Sequence, residues 1–574
     1  MSGRRWSMIE GDAAAEALLA GELGVAPLVA RLLVNRGIKT AEQAHVFLGG
    51  PLSSLEDPML MRDMGKAAQR ILAARERGEK IVVYGDYDVD GVTASAMLTR
   101  FLRAVGAKAD YYVPERAREG YGVNPGALSA IASGGAGLVI TVDCGISDFE
   151  AAGHAGKIGL DMIITDHHQP PDRLPPALAT LNPHRKDCPY PYKNLAGVGV
   201  AFKLIMAVRG ELHRRGVEKE RLPNLKSYLD LVAIGSVADC VPLTGENRVM
   251  TKSGLRVLST TDKPGLAALR DIVLRSGGGV TSRDVGFGLA PALNAAGRLG
   301  RANVSVDLLL SENRRGVSKM AGYLDRENRR RREIQNEIFE EAREMVETSV
   351  DLDNDRAVVL WSETWHPGVV GIAAARIVDA YNLPAVLICL ENGVGRGSAR
   401  SVPSFDITGG LSECGRLLER FGGHEMAAGF TILRENLCAF REKFLSTAKN
   451  TLKNKSLKPA LRVDCQADPR RFDRGLAEAV LALEPFGIGA PEPLFLGRGV
   501  SFSSVTRMGA DGGHVRISID GPASLIGFSM AGLVDRFNEA GVSSYDIVYT
   551  PEINRWGSSE RVQLRLLDIR PHQP

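Results

Sequence analysis

The sequence contains neither a long apolar run nor a pair of closely spaced cysteines. No uninterrupted apolar stretch approaches membrane-spanning length, and acidic residues from Glu10 to Glu22 break up any signal-peptide core. The seven cysteines form no CxxC pair, which argues against a disulfide framework or a zinc ribbon. The net charge of +3 is too small to indicate a partner. These absences predict a cytoplasmic globular protein that does not associate with a membrane, and 574 residues allow several domains.

One stretch, IVVYGDYDVDG at residues 81–91, carries a dense cluster of acidic residues. A short apolar run leads into Asp86, Asp88 and Asp90, and a helix-like stretch follows Gly91. In an extended segment, alternate residues point to one side, so we expect these three carboxylates to converge. Such a cluster repels itself unless a cation fills it, and all-oxygen ligation suits Mg²⁺ or Mn²⁺.

Two other interpretations of this stretch compete with a metal site. An EF-hand loop also begins D-x-D-x-D-G, but it needs a preceding helix and a glutamate at its twelfth position. Counting from Asp86, the twelfth residue is Met97, and the preceding segment is strand-like. The calcium-loop interpretation is therefore excluded, whereas a solvated acidic turn stays open for the stretch taken alone.

The region around this motif alternates strand-like and helix-like patterns. Candidate strands occupy 81–84, 109–113, 138–142, 162–165 and 178–181, with helical patterns between them. Continuous apolar strands separated by helices predict an α/β fold with a doubly wound, mainly parallel sheet. Ligands of such sheets bind beyond the carboxyl ends of the strands.

Further acidic and imidazole side chains follow these predicted elements. Asp143 follows one strand, Asp166-His167-His168 follows another, and Asp239 follows a helix. An isolated aspartate after a strand is most often a cap or turn residue. Together, however, these residues can build a centre with two metal ions about 3.5–4 Å apart.

The residues next to the expected ligands also carry predictions. His167 and His168 would point opposite ways in an extended chain, so one could bind metal while the other faces the substrate. Asp166 is expected to hold an imidazole in the correct tautomer. Cys144 and Cys240 are interpreted as small core residues.

Four motifs, in order, resemble those of the DHH phosphoesterase superfamily: GDYDVDG, VDCG, TDHH and GSVADCVPL. Within that superfamily the chain resembles the RecJ family of single-strand-specific 5′→3′ exonucleases. Segments 113–122, 181–204 and 289–300 carry this second resemblance, which covers nearly the whole chain.

The resemblance implies a role for each matched residue. The implied metal ligands are Asp86, Asp88, Asp90, Asp143, His167 and Asp239. Asp143 is expected to bridge two ions, and Asp86 to lie in or just behind the ligand shell. His168 should contact the scissile phosphate, with Asp143 and Asp166 completing the catalytic set. At Tyr84 the chain departs from pyrophosphatase-type relatives, which carry a histidine ligand there. This implies that the site near Asp86 and Asp88 is the weaker or the more substrate-dependent one.

The resemblance also implies contacts with DNA. The expected phosphate- or DNA-binding residues are Arg116, Arg298, Ser398, Arg400 and His424. Spacing alone would make Arg298 an ordinary surface arginine, and the resemblance raises it to a contact with a 5′ phosphate, which guanidinium groups bind in a bidentate manner. Glycines around Ser398, Arg400 and His424 would let backbone groups approach an anion.

The predicted domain layout has five parts. They are a helical N-terminal extension (1–65), a DHH domain (66–245), a helical connector with a long charged helix (246–352), a smaller α/β DHHA1 domain (353–455) and a C-terminal OB-like β-barrel (456–574). The short, regularly spaced strands of the last part predict the barrel. Its weak candidates for single-strand contact are Phe502, Arg507, Arg516, Tyr549 and Arg555.

The predicted function is Mn²⁺- or Mg²⁺-dependent hydrolysis of phosphodiester bonds in single-stranded DNA, without a serine or cysteine nucleophile. The resemblance implies 5′→3′ digestion to 5′-mononucleotides in recombination and repair, a cleft too narrow for a duplex, and cooperation with a helicase and single-strand-binding protein. It favours a monomer. Two alternatives stay open: a phosphodiesterase for short oligonucleotides or cyclic dinucleotides, and a catalytically silent DNA-binding scaffold.

Overall fold

A five-stranded parallel sheet, here called the parallel sheet, underlies the acidic motifs. Its strands, in spatial order, are Lys108–Tyr112, Lys80–Gly85, Ala136–Val142, Asp161–Thr165 and Ala179–Leu181, and every neighbouring pair is parallel. The structure is a computed structural model, and it describes residues 4–115, 119–120, 122–274, 279–352, 354–453, 455–509, 512–539, 541–556 and 559–573, without the side chains of 536, 538–539, 555–556 and 559. The strands predicted from the sequence are confirmed.

Helices cover both faces of the parallel sheet. Ile81 and Val83 join one apolar core, which includes residues of helices Val89–Ala104 and Gly197–Arg214. Val82 and Tyr84 join a second core on the opposite face. This alternation follows from the two-residue period of a strand. It confirms the doubly wound α/β prediction.

The chain divides into two compact units. The first contains Ser7–Asp325 and Arg462–Pro574, and the second contains Arg326–Leu461. In the first unit the helices are Ala13–Leu23, Pro27–Asn35, Ala41–Gly49, Met64–Arg77, Val89–Ala104, Pro125–Ser133, Phe149–Lys157, Gly197–Arg214, Leu229–Ala238, Gly245–Ser259, Pro264–Val273, Ser282–Asp284, Ala290–Leu299, Asn303–Leu310, Arg474–Leu481 and Ala531–Glu539, with a π-helical turn at Val285–Leu289. The strands Arg5–Met8 and Ala460–Val463 and the helix Arg314–Ser349, kinked at Arg315 and Gly316, include residues of both units.

The C-terminal part of the first unit is a seven-stranded sheet of mixed direction. In spatial order its strands are Cys465–Gln466, Phe495–Val500, Tyr545–Trp556, Ser559–Pro571, Ser524–Gly527, His514–Ser518 and Ser504–Met508. Its core also contains apolar residues of the N-terminal helices, including Leu19, Leu33 and Phe47. The N-terminal helices are therefore part of the core of this C-terminal sheet.

The second unit is a smaller α/β structure. Its five-stranded sheet has the order Leu418–His424, Ala427–Leu433, Val394–Arg400, Ala385–Glu391 and Val358–Ser362, and only the last pair is parallel. Its helices are Val370–Tyr381, Ile407–Ser412 and Leu437–Leu452. Within the described residues, no helix combines the length and apolar character needed to cross a membrane.

Candidate metal centre

Three acidic motifs meet at one edge of the parallel sheet. Asp86, Asp143 and Asp166 each follow directly after one of three neighbouring strands. Because these strands are parallel, their carboxyl ends lie at the same edge. Asp239 reaches this cluster from the C-terminal cap of helix Leu229–Ala238.

The first motif was predicted to be extended, and this prediction is wrong. The chain turns into helix Val89–Ala104 straight after the strand, and the Asp88 carboxylate caps that helix by accepting a hydrogen bond from Gly91 N–H at 3.0 Å. A Cβ at position 91 would lie only 2.6 Å from the Asp86 carbonyl oxygen, so glycine permits this turn. The three aspartates therefore reach different places in the cluster.

Asp90 is buried beneath the cluster in the first turn of this helix. One of its oxygens accepts from Gly197 N–H at 2.6 Å and the other from Val198 N–H at 2.9 Å. Both donors belong to the N-terminus of helix Gly197–Arg214, where a negative charge is favourable. Burial and the nearby Asp88 nevertheless raise the pKa of Asp90 to about 7.

Three overlapping sets of side chains present ligand atoms within 4.8 Å of one another. The sets are Asp86, Asp88 and Asp143; Asp90, His167 and Asp239; and Asp143, His167 and His168. Asp143 and His167 each belong to two of the sets. The six residues predicted as metal ligands are thus all brought together.

The shared residues of these sets carry unpaired buried atoms. Asp143 Oδ1 lies 3.1 Å from His167 Nε2, yet both atoms are buried without a hydrogen-bond partner. Burial, followed by the charge of His168, lowers the pKa of His167 to about 4, so its ring is neutral. Its Nε2 has no hydrogen-bond partner among the described residues. In a neutral ring this nitrogen can present a lone pair, the form in which imidazole binds a metal.

The carboxylates repel one another. Burial, Asp90 and Asp88 raise the pKa of Asp143 well above its usual range, and the same three causes raise the pKa of Asp239 to about 9. Asp239 also sits at the negative end of a helix dipole. Buried carboxylates, a neutral imidazole and unpaired ligand atoms together fit a divalent cation that prefers oxygen and nitrogen ligands.

His168 differs from His167 in charge. Its Nδ1 lies 2.8 Å from Asp166 Oδ1. Burial favours a neutral ring, but the hydrogen bond and charge of Asp166 outweigh it and raise the pKa of His168 to about 9. Burial also acts to raise the pKa of Asp166, but contacts with His168 lower it overall. His168 is thus cationic at neutral pH, with its Nδ1 hydrogen-bonded to Asp166. The role of Asp166 in selecting a tautomer stays a prediction.

The prediction that the two histidines point opposite ways is wrong. Their ring centroids are 4.5 Å apart, and both rings share a ligand set with Asp143. The chain leaves the extended conformation after Thr165, because the Asp166 side chain accepts hydrogen bonds from the N–H groups of both histidines. The two rings therefore lie side by side at the sheet edge.

Three residues that neighbour the motifs are not part of the cluster. Cys144 is a buried core residue, as predicted. Cys240 is exposed, so its assignment to the core is wrong; the chain turns there with φ of 59° as it leaves the helix. The Tyr84 hydroxyl points into the core and forms hydrogen bonds with Gly122 O at 3.2 Å and Asn124 N–H at 3.3 Å.

Arg298 lies close to the first motif. It is half-buried in the last turn of helix Ala290–Leu299. A Cβ on its neighbour Gly297 would lie 2.7 Å from the Tyr87 carbonyl oxygen, so this helix packs directly against the acidic loop. The contact places the backbone next to Arg298 beside the loop that carries Asp86 and Asp88.

Ser398 and Arg400 come together in the second unit. Arg400 Nη1 donates to Ser398 Oγ at 3.1 Å. A Cβ at Gly371, in the first turn of helix Val370–Tyr381, would lie 2.6 Å from Ser398 Oγ and 2.9 Å from Arg400 Nη2. A serine, a guanidinium and a helix N-terminus therefore surround one point, which suits an anion.

The remaining candidates have mixed outcomes. His424 lies on the exposed edge strand Leu418–His424, where its carbonyl accepts from Thr408 Oγ1. Arg116 and the side chain of Arg555 lie outside the described residues. Arg516 is exposed.

Other aromatic and basic candidates of the C-terminal sheet already have partners. Phe502 stacks on Tyr545 with ring centroids 4.2 Å apart, and Arg507 pairs with Asp535. Tyr549 is fully buried beside Phe472, so its assignment as a DNA contact is wrong. Side chains alternate between the two faces of a strand, and Tyr549 lies on the face that packs into the core. The sequence alone does not show which face of this strand is buried.

Sequence reasoning missed the backbone donors that hold the cluster. The N–H groups of Gly197 and Val198 fix Asp90. The only signal was the small-residue stretch LAGVGVAF at 195–202, which is typical of a tightly packed helix start.

Three family models match successive parts of the chain. The DHH family N-terminal domain matches residues 80–236, the DHHA1 domain matches 354–450, and the RecJ OB domain matches 463–568. These matches agree with the parallel sheet, the second unit and the C-terminal sheet, and they confirm the predicted fold classes.

Relatives of the whole chain are similar to it along most of its length. The single-stranded-DNA-specific exonuclease RecJ of Bacillus subtilis is 38% identical, over 99% of this chain and 71% of the relative. The Escherichia coli protein of the same name is 33% identical, over 95% of this chain and 96% of the relative. The crystal structure of Thermus thermophilus RecJ in complex with Mn²⁺ aligns with a TM-score of 0.83 at 29% identity, covering 100% of this chain and 81% of that one. From these similarities and the three domain matches, the chain belongs to the RecJ family of single-stranded-DNA-specific exonucleases.

Proposed function

We propose that this chain is a metal-dependent exonuclease that hydrolyses single-stranded DNA in the 5′→3′ direction and releases 5′-mononucleotides. The observation that carries the proposal is the unpaired, buried couple of Asp143 Oδ1 and His167 Nε2 within a cluster of carboxylates. Membership of a family whose relatives are named single-stranded-DNA-specific exonucleases supports the substrate.

Two Mn²⁺ or Mg²⁺ ions would be held by this cluster. Asp86, Asp88 and Asp143 would hold one ion, and Asp90, His167 and Asp239 the other. Asp143, which also shares a set with His167, would be the ligand common to both. Asp90 would either bind the second ion itself or support that site from behind. The supporting role is favoured by the backbone N–H groups that already donate to both of its oxygens. RecJ of Thermus thermophilus has been crystallised in complex with Mn²⁺ and with Mg²⁺.

The reaction would be hydrolysis of a phosphodiester bond. When bound, the ions would polarise a water molecule and neutralise charge on the phosphate. His168, kept cationic by Asp166, would donate to a non-bridging oxygen of the scissile phosphate as its charge grows. Because Asp166 is fixed by the Ile146 N–H as well, the imidazolium would be oriented before substrate binds.

Recognition of a 5′ end would come from anion contacts. Ser398, Arg400 and the start of helix Val370–Tyr381 offer a hydroxyl, a guanidinium and a helix N-terminus to a terminal phosphate. Arg298 would contact a phosphate beside the first motif, and His424 and Arg116 would contact the strand.

The biological setting would be DNA recombination and repair. Cooperation with a helicase and a single-strand-binding protein, and action as a monomer, belong to this proposal through the family alone. Seven free cysteines are compatible with a reducing cytoplasm.

The proposal is tested by digestion of single strands labelled at the 5′ or the 3′ end, beside a blunt duplex, with Mn²⁺ or with EDTA. We expect immediate release of the 5′ label as mononucleotide, only with Mn²⁺ and only from the single strand. Early release of the 3′ label would contradict the polarity. Hydrolysis of short oligonucleotides or cyclic dinucleotides alone would support the phosphodiesterase alternative, and binding without cleavage would support a scaffold.

A further inference from the structure

The most exposed large apolar side chain of the described residues lies on a turn that packs against the helix leading to Asp239. Phe287 is 78% exposed. It occupies the middle of the π-helical turn Val285–Leu289, with the sequence Val-Gly-Phe-Gly-Leu. Such turns occur frequently at functional sites, because one extra residue re-aims the side chains of a helix.

The fold does not need Phe287 for its core. Val285 and Leu289 of the same turn are fully buried and anchor it to the main core. Phe287 therefore leaves a large aromatic surface in water, although burying it would stabilise the fold. Single exposed apolar side chains are common on protein surfaces. What distinguishes Phe287 is its place on a π-helical turn within the stretch that packs against the first motif.

Two packing contacts tie this turn to the metal cluster. A Cβ at Gly286 would lie 3.8 Å from Val237 Cγ1, and Val237 is two residues before Asp239 on the same helix. The turn also continues into helix Ala290–Leu299, whose Gly297 packs against Tyr87 of the first motif. With a rise of 1.5 Å per residue, Phe287 is about 15 Å along that helix from the motif.

A second exposed apolar side chain lies on a loop that contacts the residues just after Asp239. Ile488 is 56% exposed, and its carbonyl accepts from Leu243 N–H at 2.7 Å. The same loop is linked to the segment before the π-helical turn, because Ser282 Oγ donates to Phe486 O at 2.7 Å. The loop therefore contacts both the segment after Asp239 and the segment just before the π-helical turn that carries Phe287.

We propose that Phe287 is a stacking platform for a nucleobase of the single-stranded substrate, with Ile488 as a second apolar contact for the same strand. The inference rests on the proposed function and specifies how the strand is bound before it is hydrolysed. Stacking suits an enzyme that must accept every sequence, because each base has a π-face while hydrogen-bond readout would discriminate between bases. A duplex cannot use such a platform, because its bases are already stacked on one another.

The test measures binding of oligonucleotides in the non-cleaving Asp143→Asn background of the full chain. Adding Phe287→Ala should weaken single-strand binding by about five- to one-hundred-fold, the range found when a stacking aromatic is truncated. Phe287→Tyr should bind like the parent, whereas Phe287→Leu should lose most of the affinity although it remains apolar. A Leu18→Ala control, at another exposed apolar side chain (59%), should leave binding unchanged.

An oligonucleotide series with one abasic site at successive positions from the 5′ end locates the stacked base. For the parent, an abasic site at one particular position should lower affinity more than an abasic site at any other position. For the Phe287→Ala variant, an abasic site at that position should lower affinity no more than at the others. Equal affinities for Phe287→Ala and its parent, or identical abasic profiles, would overturn the stacking role.

The two proposals fail in different ways. If wild-type protein digests single strands but Phe287→Ala leaves oligonucleotide affinity unchanged, only the stacking proposal is wrong. If Phe287→Ala shows the predicted binding loss but wild-type protein cleaves no strand, the exonuclease proposal is wrong and the platform stands.

Discussion

Asp166 Oδ1 lies 2.8 Å from His168 Nδ1, and this pair sits at the carboxyl edge of the parallel sheet. The carboxylate keeps the neighbouring imidazole charged, while His167, one residue away, is neutral. One sequence motif thus supplies a cationic and a neutral imidazole side by side. In the proposed function, these different environments, rather than the residue type, suit His168 to contact a phosphate and His167 to bind a metal.

The Asp166–His168 pair predicts the alkaline limb of the pH–rate profile. Because the pKa of His168 is raised to about 9, its cationic form persists through neutral pH and is lost as pH rises through about 9. Asp166→Asn removes the negative charge, so the pKa should fall towards the ordinary value of about 6.5. At pH of about 8, single-strand digestion should then fall about tenfold or more, with a smaller loss at pH of about 6. A profile of unchanged shape would contradict this role.

The carboxylate cluster predicts how pH affects the metal-free protein. The pKa values of Asp90 and Asp239 are raised to about 7 and about 9, so both bind more protons in the folded than in the unfolded state. The free energy of unfolding should therefore fall as pH rises from about 4 through these values. A bound divalent ion replaces those protons, so the increase in Tm on adding Mn²⁺ should be larger at pH of about 9 than at pH of about 6. Thermal unfolding with EDTA and with Mn²⁺ measures this increase in Tm. An equal increase in Tm at both pH values would contradict the predicted clustering of charge.

The Ser398–Arg400 pair predicts a preference for a phosphorylated 5′ end. Arg400→Ala should slow digestion of a 5′-phosphorylated strand by about tenfold or more, because hydrogen bonds to charged groups contribute about 1.5–3 kcal/mol. Digestion of the 5′-hydroxyl strand should change much less. Arg396→Ala, at an exposed position of the same strand, is the matched control. Equal losses on both substrates would assign Arg400 a merely structural role.

Arg248 predicts a large stability effect far from the chemistry. It is fully buried, and its guanidinium donates to the carbonyls of Phe47, Leu483 and Pro485 at 2.6–2.9 Å. Arg248→Met should leave these buried carbonyls unpaired and lower the free energy of unfolding by about 2–5 kcal/mol.

Thermal or denaturant unfolding measures this loss. Arg256→Met, at an exposed position of the same helix, should cost less than about 0.5 kcal/mol. Equal free energies of unfolding for both variants would show that the hydrogen bonds from Arg248 to these carbonyls contribute little to stability.

The sequence was sufficient to predict the parallel sheet and the meeting of its motifs. Continuous apolar strands such as LVITV can only be buried on both faces, and parallel strands bring Asp143 and Asp166 to one edge. Local geometry was harder to predict. Asp88 is a helix cap rather than part of an extended run, because helix Val89–Ala104 starts at once after the strand.

Tertiary packing decided the features that the sequence did not reveal. The backbone donors to Asp90 come from a helix more than a hundred residues away. Cys240 follows an apolar helix and was expected in the core, but a positive φ turns it to the surface. The exposure of Phe287 is equally invisible in sequence, because an aromatic between two glycines fits a core turn just as well.

The most direct test is a Mn²⁺ titration of metal-free wild-type, Asp143→Asn and Asp161→Asn proteins, with single-strand digestion followed in the same samples. Asp161 starts the strand that leads to Asp166 and pairs with Arg70 at the opposite end of the sheet, so it is the matched control. We predict two bound ions and rapid digestion for wild type and Asp161→Asn. For Asp143→Asn we predict loss of at least one ion and at least about a thousandfold slower digestion, with DNA binding retained. Wild-type digestion by Asp143→Asn would contradict the assignment of the metal centre.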